Sequence, residues 1–508
     1  MAVSMSTANA SARTLSELLP GRAVPIEIPV TGISYDSRTT QSGDIFFALP
    51  GAKTTGVDFA RAAVQRGAVA VVAPSSLDLS VPVIVADEPR KVMAEVSHRF
   101  YGFPDRTIDL IGVTGTNGKS TVAAGLQTIW EIAGIPAGLF GTLFYRWANH
   151  SEPASRTTPE APDLDRLLAR MRQDGVKRAV MEVSSHAIVL DRVWGLHFKG
   201  GIFTNITRDH LDFHHTFENY RGVKRIFFER LSGTGVFAAI NVEDPNHSHF
   251  ITACPGARVI LYSGSGEEVD VHLAIVAHDL DGTQGRLLIG GESWPFRTPL
   301  WGRFNHANLA AIAAGAYGSG IDGGTIARGL SRFAGITGRA ERVPSAAPFP
   351  VFVDYAHTPD ALDAVLSAAR PLVRGRLIVL FGCGGDRDRG KRPEMAQAVE
   401  HWADQIILTS DNPRSEDPDD IIREVQAGFT EDTKKSKLWM NPDRARAIDQ
   451  AVKVARAGDA VFLCGKGHED YQEVAGSRHH FLDHEEAQRA LKAAGFPPVA
   501  APPGGDGS

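Results

Sequence analysis

The chain has 508 residues, of which 43% are hydrophobic and 22% charged, proportions that are ordinary for a globular protein and exclude a largely disordered or fibrous chain. The net charge of −6 argues against general nucleic-acid binding, which requires a basic surface. The three cysteines are odd in number and far apart, so they exclude a disulfide framework and a zinc knuckle and predict a reducing compartment.

Length and apolar patterning predict several domains and no membrane span. At about 150 residues per domain, the length indicates about three domains. No run approaches the roughly 18 consecutive apolar residues that a membrane-spanning helix needs. The first residues also lack the basic and apolar regions of a signal peptide, so no targeting segment is predicted.

The first hundred residues alternate short apolar runs with helical patterns. Strands are predicted over 44–49, 69–74 and 81–87, and helices over 59–68 and 89–101. The turn-like segment YGFPDR at 101–106 marks the first boundary. An N-terminal domain is therefore predicted over 1–103.

A strand that runs into a glycine turn begins the second domain, predicted over 104–341. Further strands are predicted over 108–115, 179–185, 200–206 and 235–241, with short strands and hairpins over 259–300. Helices are predicted over 119–134, where Gly134 is a plausible C-cap, and from Asn305 onwards. The segment RVPSAAPFP at 342–350 marks the second boundary.

Strand and helix patterns alternate regularly beyond that boundary. The predicted strands are 351–356, 376–382, 405–410 and 459–465. This rhythm predicts a mostly parallel sheet with helices on both faces, in a domain over 342–496. The last residues, 497–508, are predicted to be a disordered tail. The predicted fold class is α/β.

The sharpest local motif is GVTGTNGKST at 112–121, a strand followed by a glycine-rich turn and a lysine at a helix start. This arrangement directs backbone N–H groups and a helix N-terminus at a phosphate. Lys119 would neutralise phosphate charge, and the Ser120 hydroxyl would face a magnesium ion. The strict Walker spacing fails because Val113 stands where glycine is required, so the loop is a shorter variant.

A second glycine cluster, GCGGDRDRGKR at 382–392, follows a predicted strand. Its spacing is wrong for a dinucleotide fingerprint, and alternating Asp and Arg are not needed to cradle a pyrophosphate. The residues alone leave two interpretations open, a substrate-binding loop and an ordinary solvated loop.

Two acidic and histidine-containing segments follow predicted strands. Glu182 lies near the end of one strand, and His210 lies just after another, between Asp209 and Asp212. Ligands gather at the carboxyl ends of strands in α/β sheets, so Glu182 and His210 are candidate magnesium ligands. The histidine is the weaker candidate because magnesium prefers oxygen. Spacing alone indicates that Lys224 is a surface lysine.

Nine motifs combine in order along the chain: GTNGKS, MEVSSH, NITRDHLDFH, FNHANLAA, ITGRAE, DYAHTPDAL, GCGGDRDRGKRPEM, SDNPRSEDP and GKGHEDYQ. With these motifs, the chain resembles the Mur ligase family from about Ile33 to Glu486. The resemblance implies a UDP-binding N-terminal domain, a central P-loop ATPase-like domain with a parallel or mixed sheet, and a C-terminal Rossmann-like domain that binds the incoming amino acid.

The resemblance also implies the reaction. The expected enzyme is a cytoplasmic, monomeric, ATP-dependent ligase of peptidoglycan precursor synthesis that uses Mg²⁺. It would add meso-diaminopimelate to the D-glutamate of UDP-N-acetylmuramoyl-L-alanyl-D-glutamate through an acyl phosphate, releasing ADP and phosphate. Lys224 matches a lysine that is carbamylated in this family, and as N6-carboxylysine it would be a metal ligand beside Ser120, Glu182 and His210.

Further residues match the family's binding positions. The ATP positions are Gly115, Thr116, Asn117, Gly118, Lys119, Ser120, Thr121, Asn305, Asn308, Arg339 and Asp354. The positions for the UDP-muramoyl dipeptide are Tyr35, Ser37, Ala52, Lys53, Thr54, Thr157, Thr158, Ser184 and Arg192. Two positions depart from the family pattern, since Arg156 stands where Asn is frequent and Leu190 where Gln is frequent. Both concern contacts with the muramoyl peptide rather than the reaction.

The resemblance assigns the DNPR segment, Asp411 to Arg414, to diaminopimelate recognition. Diaminopimelate differs from lysine by an extra carboxylate at its far end, and a planar guanidinium such as that of Arg414 suits a carboxylate. Pro413 would stiffen the turn, and Asn412 would add a polar contact. Arg387, Gly465 and Glu469 are implied in the same pocket, with Glu469 holding the distal ammonium group.

Three alternatives remain open at the level of sequence. A lysine-adding version of the same ligase differs only in the amino acid that it adds. A folylpolyglutamate synthase shares ATP-driven amide formation, but the N-terminal domain and the DNPR segment argue against it. A P-loop NTPase that works as a switch or motor explains GTNGKS but leaves DNPR and GKGHE without a role.

Overall fold

The computed structural model describes residues 12–22, 24, 27–51 and 55–499. The chain divides into two compact units: unit 1 comprises residues up to Tyr262 with Ala314–Ile321, and unit 2 comprises Ser263–Ala313 with residues from Asp322 onwards. The predicted domain boundaries after 103 and 341 fall inside these units and stay predictions. Ala52, Lys53 and Thr54 lie outside the described residues, as does most of the predicted tail.

The N-terminal part of unit 1 is built on a small four-stranded parallel sheet, in which the strands lie side by side in chain order. Its elements are β1 (Arg13–Thr14), α1 (Leu15–Leu18), β2 (Pro29–Val30), β3 (Gly32–Ser34), β4 (Asp44–Phe47), α2 (Ala60–Gln65), β5 (Ala70–Ala73), β6 (Val83–Val85) and α3 (Pro89–Tyr101). The predicted strands are confirmed but shorter than expected. Helix α3 begins at Pro89 and ends before Gly102, which adopts the left-handed conformation that favours glycine at a helix end.

The rest of unit 1 carries the phosphate-loop strand in the middle of a larger sheet. Its elements are β7 (Asp109–Thr114), α4 (Lys119–Ile132), β8 (Ala137–Phe140), β9 (Phe144–Trp147), β10 (His150–Pro153), α5 (Ala161–Gln173), β11 (Arg178–Glu182), α6 (Ser185–Val189), β12 (Phe198–Phe203), α7 (Leu211–His214), α8 (Phe217–Glu229), β13 (Ser232–Asn241), α9 (His247–Ile251) and β14 (Gly256–Ser263). The strand order is β10-β9-β8-β11-β7-β12-β13-β14, and neighbouring strands are parallel except that β9 is antiparallel to both β8 and β10. The sequence patterns predict no element over residues 137–173.

Unit 2 contains three antiparallel strands and a separate, mostly parallel sheet. The elements are β15 (Val271–Asp279), β16 (Gly282–Ile289), β17 (Glu292–Thr298), α10 (Arg303–Gly318), α11 (Gly323–Arg332), β18 (Glu341–Arg342), β19 (Val351–Asp354), α12 (Pro359–Ala369), β20 (Leu377–Phe381), α13 (Lys391–Trp402), β21 (Gln405–Leu408), α14 (Pro418–Gln426), α15 (Glu431–Ser436), β22 (Leu438–Met440), α16 (Arg444–Val454), β23 (Ala460–Cys464), β24 (Tyr471–Val474), β25 (Ser477–His480) and α17 (Asp483–Ala493). Helix α10 passes from unit 2 into unit 1.

The second sheet has the strand order β18-β19-β23-β20-β21-β22, with β18 antiparallel to the rest. Strands β20 and β23 are continuous apolar runs and are buried throughout, as expected for a parallel sheet that is covered on both faces. The predicted Rossmann-like sheet is confirmed, and so is the α/β class. Among the described helices, none is both long and apolar enough to cross a membrane.

Candidate active site

The phosphate loop joins β7 to α4 and is held in place by the segment that follows β12. Thr204 Oγ1 donates to the Asn117 carbonyl at 2.7 Å, and the Asn117 amide donates to Asn205 Oδ1 at 2.9 Å. A Cβ atom at Gly115 would collide with the Thr204 hydroxyl, so this position requires glycine. Gly118 adopts a φ of 85° and leaves the start of α4 without a side-chain cap, so the helix N-terminus can face an anion.

Two lysines donate to the same carbonyl of this loop. Lys119 Nζ lies 2.9 Å from the Gly115 oxygen and 2.8 Å from the Thr116 oxygen. Lys224 Nζ also lies 2.9 Å from the Gly115 oxygen. Helix α8 places Lys224 in the interior, where it is 1% exposed, so the surface position indicated by spacing alone is wrong.

The surroundings of Lys224 favour a neutral amine. Burial, reinforced by the positive charge of Lys119, holds the pKa of Lys224 well below its usual value. Its side chain lies over the Tyr220 ring, 4.8 Å from Nζ to the ring centre. A neutral buried amine beside a phosphate loop is nucleophilic at a pH where an ordinary lysine is protonated.

Glu182 ends strand β11 beside the phosphate-loop strand, with its backbone paired to Val113. Its carboxylate accepts hydrogen bonds from the Thr142 amide at 2.8 Å and the Thr142 hydroxyl at 3.0 Å, and the residue is 1% exposed. Because both carboxylate oxygens are held in this way, the side chain is fixed at the same sheet edge as the loop.

His210 precedes α7 in a left-handed backbone conformation, with a φ of 53°. Its imidazole is about half exposed, lies 3.4 Å from Asp209 Oδ2 and packs edge-on against His186. Within the described residues, no group of three or more His, Cys, Asp and Glu side chains is arranged to hold a metal ion.

The residues matched to the muramoyl dipeptide form a hydrogen-bond network that reaches the backbone carbonyl of Glu182. The Thr158 hydroxyl donates to the Glu182 carbonyl at 2.8 Å and accepts from the Ser184 amide at 3.2 Å. Arg192 Nη1 donates to the Thr158 carbonyl at 3.1 Å, and Thr157 Oγ1 lies 3.2 Å from Thr142 Oγ1. The structure thus brings these predicted residues together.

Two further residues of this group lie near the N-terminal sheet. The Tyr35 hydroxyl donates to Asp163 at the start of α5, and Ser37 is buried. Of the departing positions, Leu190 follows α6, and Arg156 is exposed, with its backbone held by the Tyr145 hydroxyl.

Unit 2 contains the remaining positions matched to ATP. Asp354 ends β19 and accepts hydrogen bonds from the Ala356 amide at 2.7 Å and the Ala340 amide at 2.6 Å, and burial raises the pKa of this carboxyl. The Arg339 guanidinium lies over the Tyr355 ring at 4.6 Å. In α10, Asn308 Nδ2 donates to Asn305 Oδ1 at 3.3 Å, and Asn305 Nδ2 donates to the Trp301 carbonyl at 3.0 Å.

The DNPR segment follows β21, and its asparagine is fixed in one orientation. Asn412 Oδ1 accepts from Lys466 Nζ at 3.3 Å and from the Glu473 amide at 2.9 Å. Asn412 Nδ2 must therefore face Glu469, to which it donates at 2.6 Å. Burial, with the charge of Asp411, raises the pKa of Glu469.

Arg414 lies at the opposite side of this segment in a left-handed conformation, with a φ of 55°. Its Nη1 donates to the Gly385 carbonyl at 2.7 Å, and its backbone exchanges hydrogen bonds with Glu473 and Ala475. A Cβ atom at Gly384 would lie 2.9 Å from Arg414 Nη1 and 3.9 Å from Arg387 Cγ, so both arginines border Gly384. The loop 382–392 therefore contacts the DNPR segment rather than standing alone at the surface.

Sequence reasoning missed two features around the DNPR segment. Lys466 is fully buried, with its Nζ 3.5 Å from Glu469 Oε2 and 3.9 Å from Asp411 Oδ1. The hairpin β24–β25 supports the DNPR segment, since Gln472 Nε2 donates to the Asp411 carbonyl at 2.8 Å. The GKGHE motif contains this lysine, but no local pattern indicates its buried contacts, and the polar hairpin has no apolar period.

Comparison with known proteins gives consistent matches along the chain. Family models match in sequence order: Mur ligase family, catalytic domain, over residues 29–101; Mur ligase middle domain over 113–316; and Mur ligase, glutamate ligase domain, over 338–467. A UDP-N-acetylmuramoyl-L-alanyl-D-glutamate--2,6-diaminopimelate ligase of Synechococcus elongatus is 40% identical over 489 residues, which cover 94% of this chain and 97% of that protein.

Solved structures give the same result at the level of the fold. A structure of a UDP-N-acetylmuramoyl-L-alanyl-D-glutamate--2,6-diaminopimelate ligase aligns with a TM-score of 0.71 at 32% identity, covering 96% of this chain and 100% of the other. A Mycobacterium tuberculosis folylpolyglutamate synthase, complexed with ADP and AMPPCP, aligns with a TM-score of 0.57 at 18% identity over 73% of this chain and 91% of the other. The second likeness concerns the fold alone.

Proposed function

The chain belongs to the Mur ligase family, and from that premise we propose that it joins 2,6-diaminopimelate to the D-glutamate of UDP-N-acetylmuramoyl-L-alanyl-D-glutamate, converting ATP to ADP and phosphate. The side chains around Asn412, called the Asn412 pocket below, are the observation that supports diaminopimelate as the amino acid that is added. Glu469 presents a carboxylate and Arg414 a guanidinium, which suit the ammonium and carboxylate at the far end of diaminopimelate.

The phosphate loop prepares the first chemical step. The D-glutamate carboxylate attacks the γ-phosphate of ATP, which gives an acyl phosphate and ADP. Lys119 and the uncapped start of α4 would stabilise the negative charge on the transferring phosphoryl group, because they are held in place before the nucleotide binds. On binding, phosphate oxygens would replace the loop carbonyls as acceptors for Lys119.

The second step forms the amide. The amine of diaminopimelate attacks the acyl carbon, and the tetrahedral intermediate collapses with release of phosphate. Thr158, Ser184 and Arg192 would hold the dipeptide, while Asn412, Arg414 and Glu469 would hold the amino acid. The protein contributes mainly by positioning its three substrates.

The side chains at the phosphate loop fit Mg²⁺ if Lys224 is modified to carry oxygen atoms. Ser120 and Glu182 offer oxygen atoms, and His210 offers a nitrogen that magnesium accepts less readily. Unmodified Lys224 offers no oxygen, but its neutral amine can add to carbon dioxide and lose a proton, which leaves a carbamate with two oxygens. Bound Mg²⁺ would neutralise charge on the phosphates. The depressed pKa of Lys224 and its hydrogen bond to Gly115 support this modification.

The nearest functional alternatives differ in their substrates. A folylpolyglutamate synthase is disfavoured because residues 29–101 match the catalytic-domain model of the Mur ligase family, in addition to the parts that carry ATP chemistry.

We further propose that the enzyme acts as a monomer in the cytoplasm. The cysteines of the described residues are free, in agreement with a reducing compartment.

Phosphate release tests the ligase assignment. A ligase should release phosphate only when the nucleotide-sugar dipeptide, diaminopimelate and ATP are all present. An NTPase switch would hydrolyse ATP without the other two substrates. Equal phosphate release with ATP alone would refute the ligase reaction.

A further inference from the structure

Glu160 lies buried between two arginines that belong to different parts of unit 1. Its Oε1 accepts from Arg192 Nε at 3.0 Å, and its Oε2 accepts from Arg90 Nη1 at 3.0 Å. The Glu160 and Arg192 side chains are 6% and 7% exposed, and that of Arg90 is 19% exposed. Arg90 lies in the first turn of α3, whereas Glu160 immediately precedes α5.

These contacts fix the guanidinium of Arg192. Nε is held by Glu160 and Nη1 by the Thr158 carbonyl, so the plane of the group has one orientation and Nη2 remains for another acceptor. Thr158 in turn donates to the Glu182 carbonyl. A continuous series of hydrogen bonds therefore runs from α3, through Glu160 and Arg192, to the end of strand β11.

The charge balance favours an anionic ligand. Two guanidiniums and one carboxylate leave the cluster with one net positive charge, in a region where water screens it poorly. A carboxylate or phosphate oxygen of the nucleotide-sugar dipeptide would neutralise that charge.

We propose that Glu160 is a positioning residue for Arg192, and that through Arg90 it couples the position of helix α3 to the pocket for the nucleotide-sugar dipeptide. The proposal rests on the function of Arg192 in the proposed reaction. Glu160 does not touch the reacting atoms, so its effect should appear in substrate affinity rather than in the chemical step.

The chain offers a matched control for a purely structural role. Arg172 in α5 donates to the carbonyls of Tyr101 and Gly102 at the end of α3, at 3.1 and 2.9 Å. It therefore links the same two helices without contacting Arg192. Arg172→Met removes that link and should leave the kinetic constants unchanged.

The experiment compares Glu160→Gln, Arg192→Met, their double variant and Arg172→Met in the full-length protein. KM is measured separately for each substrate, and calorimetry gives the Kd of the nucleotide-sugar dipeptide alone. Glu160→Gln should raise the KM and Kd for that substrate by about tenfold or more, since a charge-assisted hydrogen bond is lost, with kcat and the KM for diaminopimelate within about twofold. In a protein that already carries Arg192→Met, Glu160→Gln should raise the Kd for the nucleotide-sugar dipeptide by less than a further factor of about two.

An unchanged Kd in Glu160→Gln, an equal shift in Arg172→Met, or full additivity with Arg192→Met would each overturn the proposal. If Glu160→Gln does not fold, Glu160→Asp replaces it in the experiment. Aspartate keeps the negative charge, but its shorter side chain moves the carboxylate away from Arg192 and Arg90. The Kd and KM values are then compared with those of Arg192→Met and Arg172→Met in the same way. A wild-type protein without ligase activity would refute the proposed function. An active wild type with an unaffected Glu160 variant would refute only the positioning role.

Discussion

At the scale of single residues, the carbonyl of Gly115 accepts hydrogen bonds from both Lys119 and Lys224. Two amines on one acceptor cannot both be protonated without repulsion in a buried site, and the burial of Lys224 decides which of them is neutral. In the proposed function the two lysines therefore have different chemistry: Lys119 would bind phosphate as a cation, and Lys224 would react with carbon dioxide as a neutral amine.

Lys119→Ala should abolish amide formation while the fold stays intact, because the cation that faces the transferring phosphoryl group is lost. The rate of product formation at saturating ATP and the thermal melting temperature are the two measurements. Exposed Lys177→Ala is the control for loss of a lysine. Turnover near the wild-type rate would remove the loop lysine from the mechanism.

Lys224→Ala should lose most activity, and a short carboxylic acid should restore part of it by supplying the missing oxygens. Labelled bicarbonate gives an independent readout, since NMR should detect a carbamate in the wild type and in exposed Lys199→Ala, but not in Lys224→Ala. A fully active Lys224→Ala enzyme, or an identical NMR spectrum for wild type and variant, would contradict the modification.

Lys466→Met should raise the KM for diaminopimelate by about tenfold, because Asn412 loses a donor that fixes its amide and the Asp411 and Glu469 carboxylates lose a buried cation. The KM for ATP should stay unchanged. Exposed Lys453→Met is the matched control. If Lys466→Met binds diaminopimelate normally, the pocket does not depend on the orientation of Asn412.

At the scale of elements, the packing of α3 on α5 depends on a buried histidine. His98 Nδ1 lies 2.8 Å from Asp165 Oδ2, and Nε2 lies 2.8 Å from the Trp194 carbonyl. Both ring nitrogens face acceptors, so both must carry a proton. Burial opposes this charge, but Asp165 and the Trp194 carbonyl outweigh it and raise the pKa of His98 to about 9.

The stability of unit 1 should therefore depend on pH in the alkaline range. A folded-state pKa above the unfolded value of about 6.5 contributes stability that is complete below that pH and is lost as the pH rises towards 9. Melting temperatures from pH 6 to pH 9.5 should fall for the wild type, and His98→Gln should be less stable at pH 6 with a flatter profile. Parallel profiles for the two proteins would exclude His98 as the titrating group.

Elements with a clear apolar period could be predicted from sequence, and polar ones could not. The phosphate-loop strand, helix α4 and strands β19, β20, β21 and β23 are buried apolar runs or amphipathic helices with recognisable ends, whereas the short, largely exposed strand β22 is not predicted. Hairpin β24–β25 was missed because its residues YQEV and SRHH are polar and at least partly exposed. Its turn at Ala475 and Gly476 has positive φ at both positions, without the Asn-Gly signal that usually marks such a turn.

The same physical limit applies to the site. The placement of Lys119 at a helix start and of Glu182 at a strand end could be predicted from sequence, because apolar runs mark where those elements begin and end. The roles of Glu160 and Lys466 depend on partners that lie far away in the chain, such as Arg90 and Asn412, and no local pattern records those contacts. Burial of Lys224 follows from tertiary packing alone.

At the scale of the whole molecule, the residues assigned to the reaction occur in both compact units. Unit 1 carries the phosphate loop and the positions for the nucleotide-sugar dipeptide, and unit 2 carries Asp354 and the Asn412 pocket. In the proposed function, the choice of amino acid therefore depends on the residues of the second unit.

One competition assay tests that central claim. The wild-type enzyme is incubated with ATP, UDP-N-acetylmuramoyl-L-alanyl-D-glutamate and equal concentrations of meso-diaminopimelate and L-lysine, and the products are identified by mass. We expect the diaminopimelate product almost exclusively, because lysine leaves the Arg414 guanidinium without a carboxylate, at a cost on the order of several kcal/mol. Arg414→Ala should narrow this preference. Equal amounts of the two products from the wild type would contradict the assigned specificity.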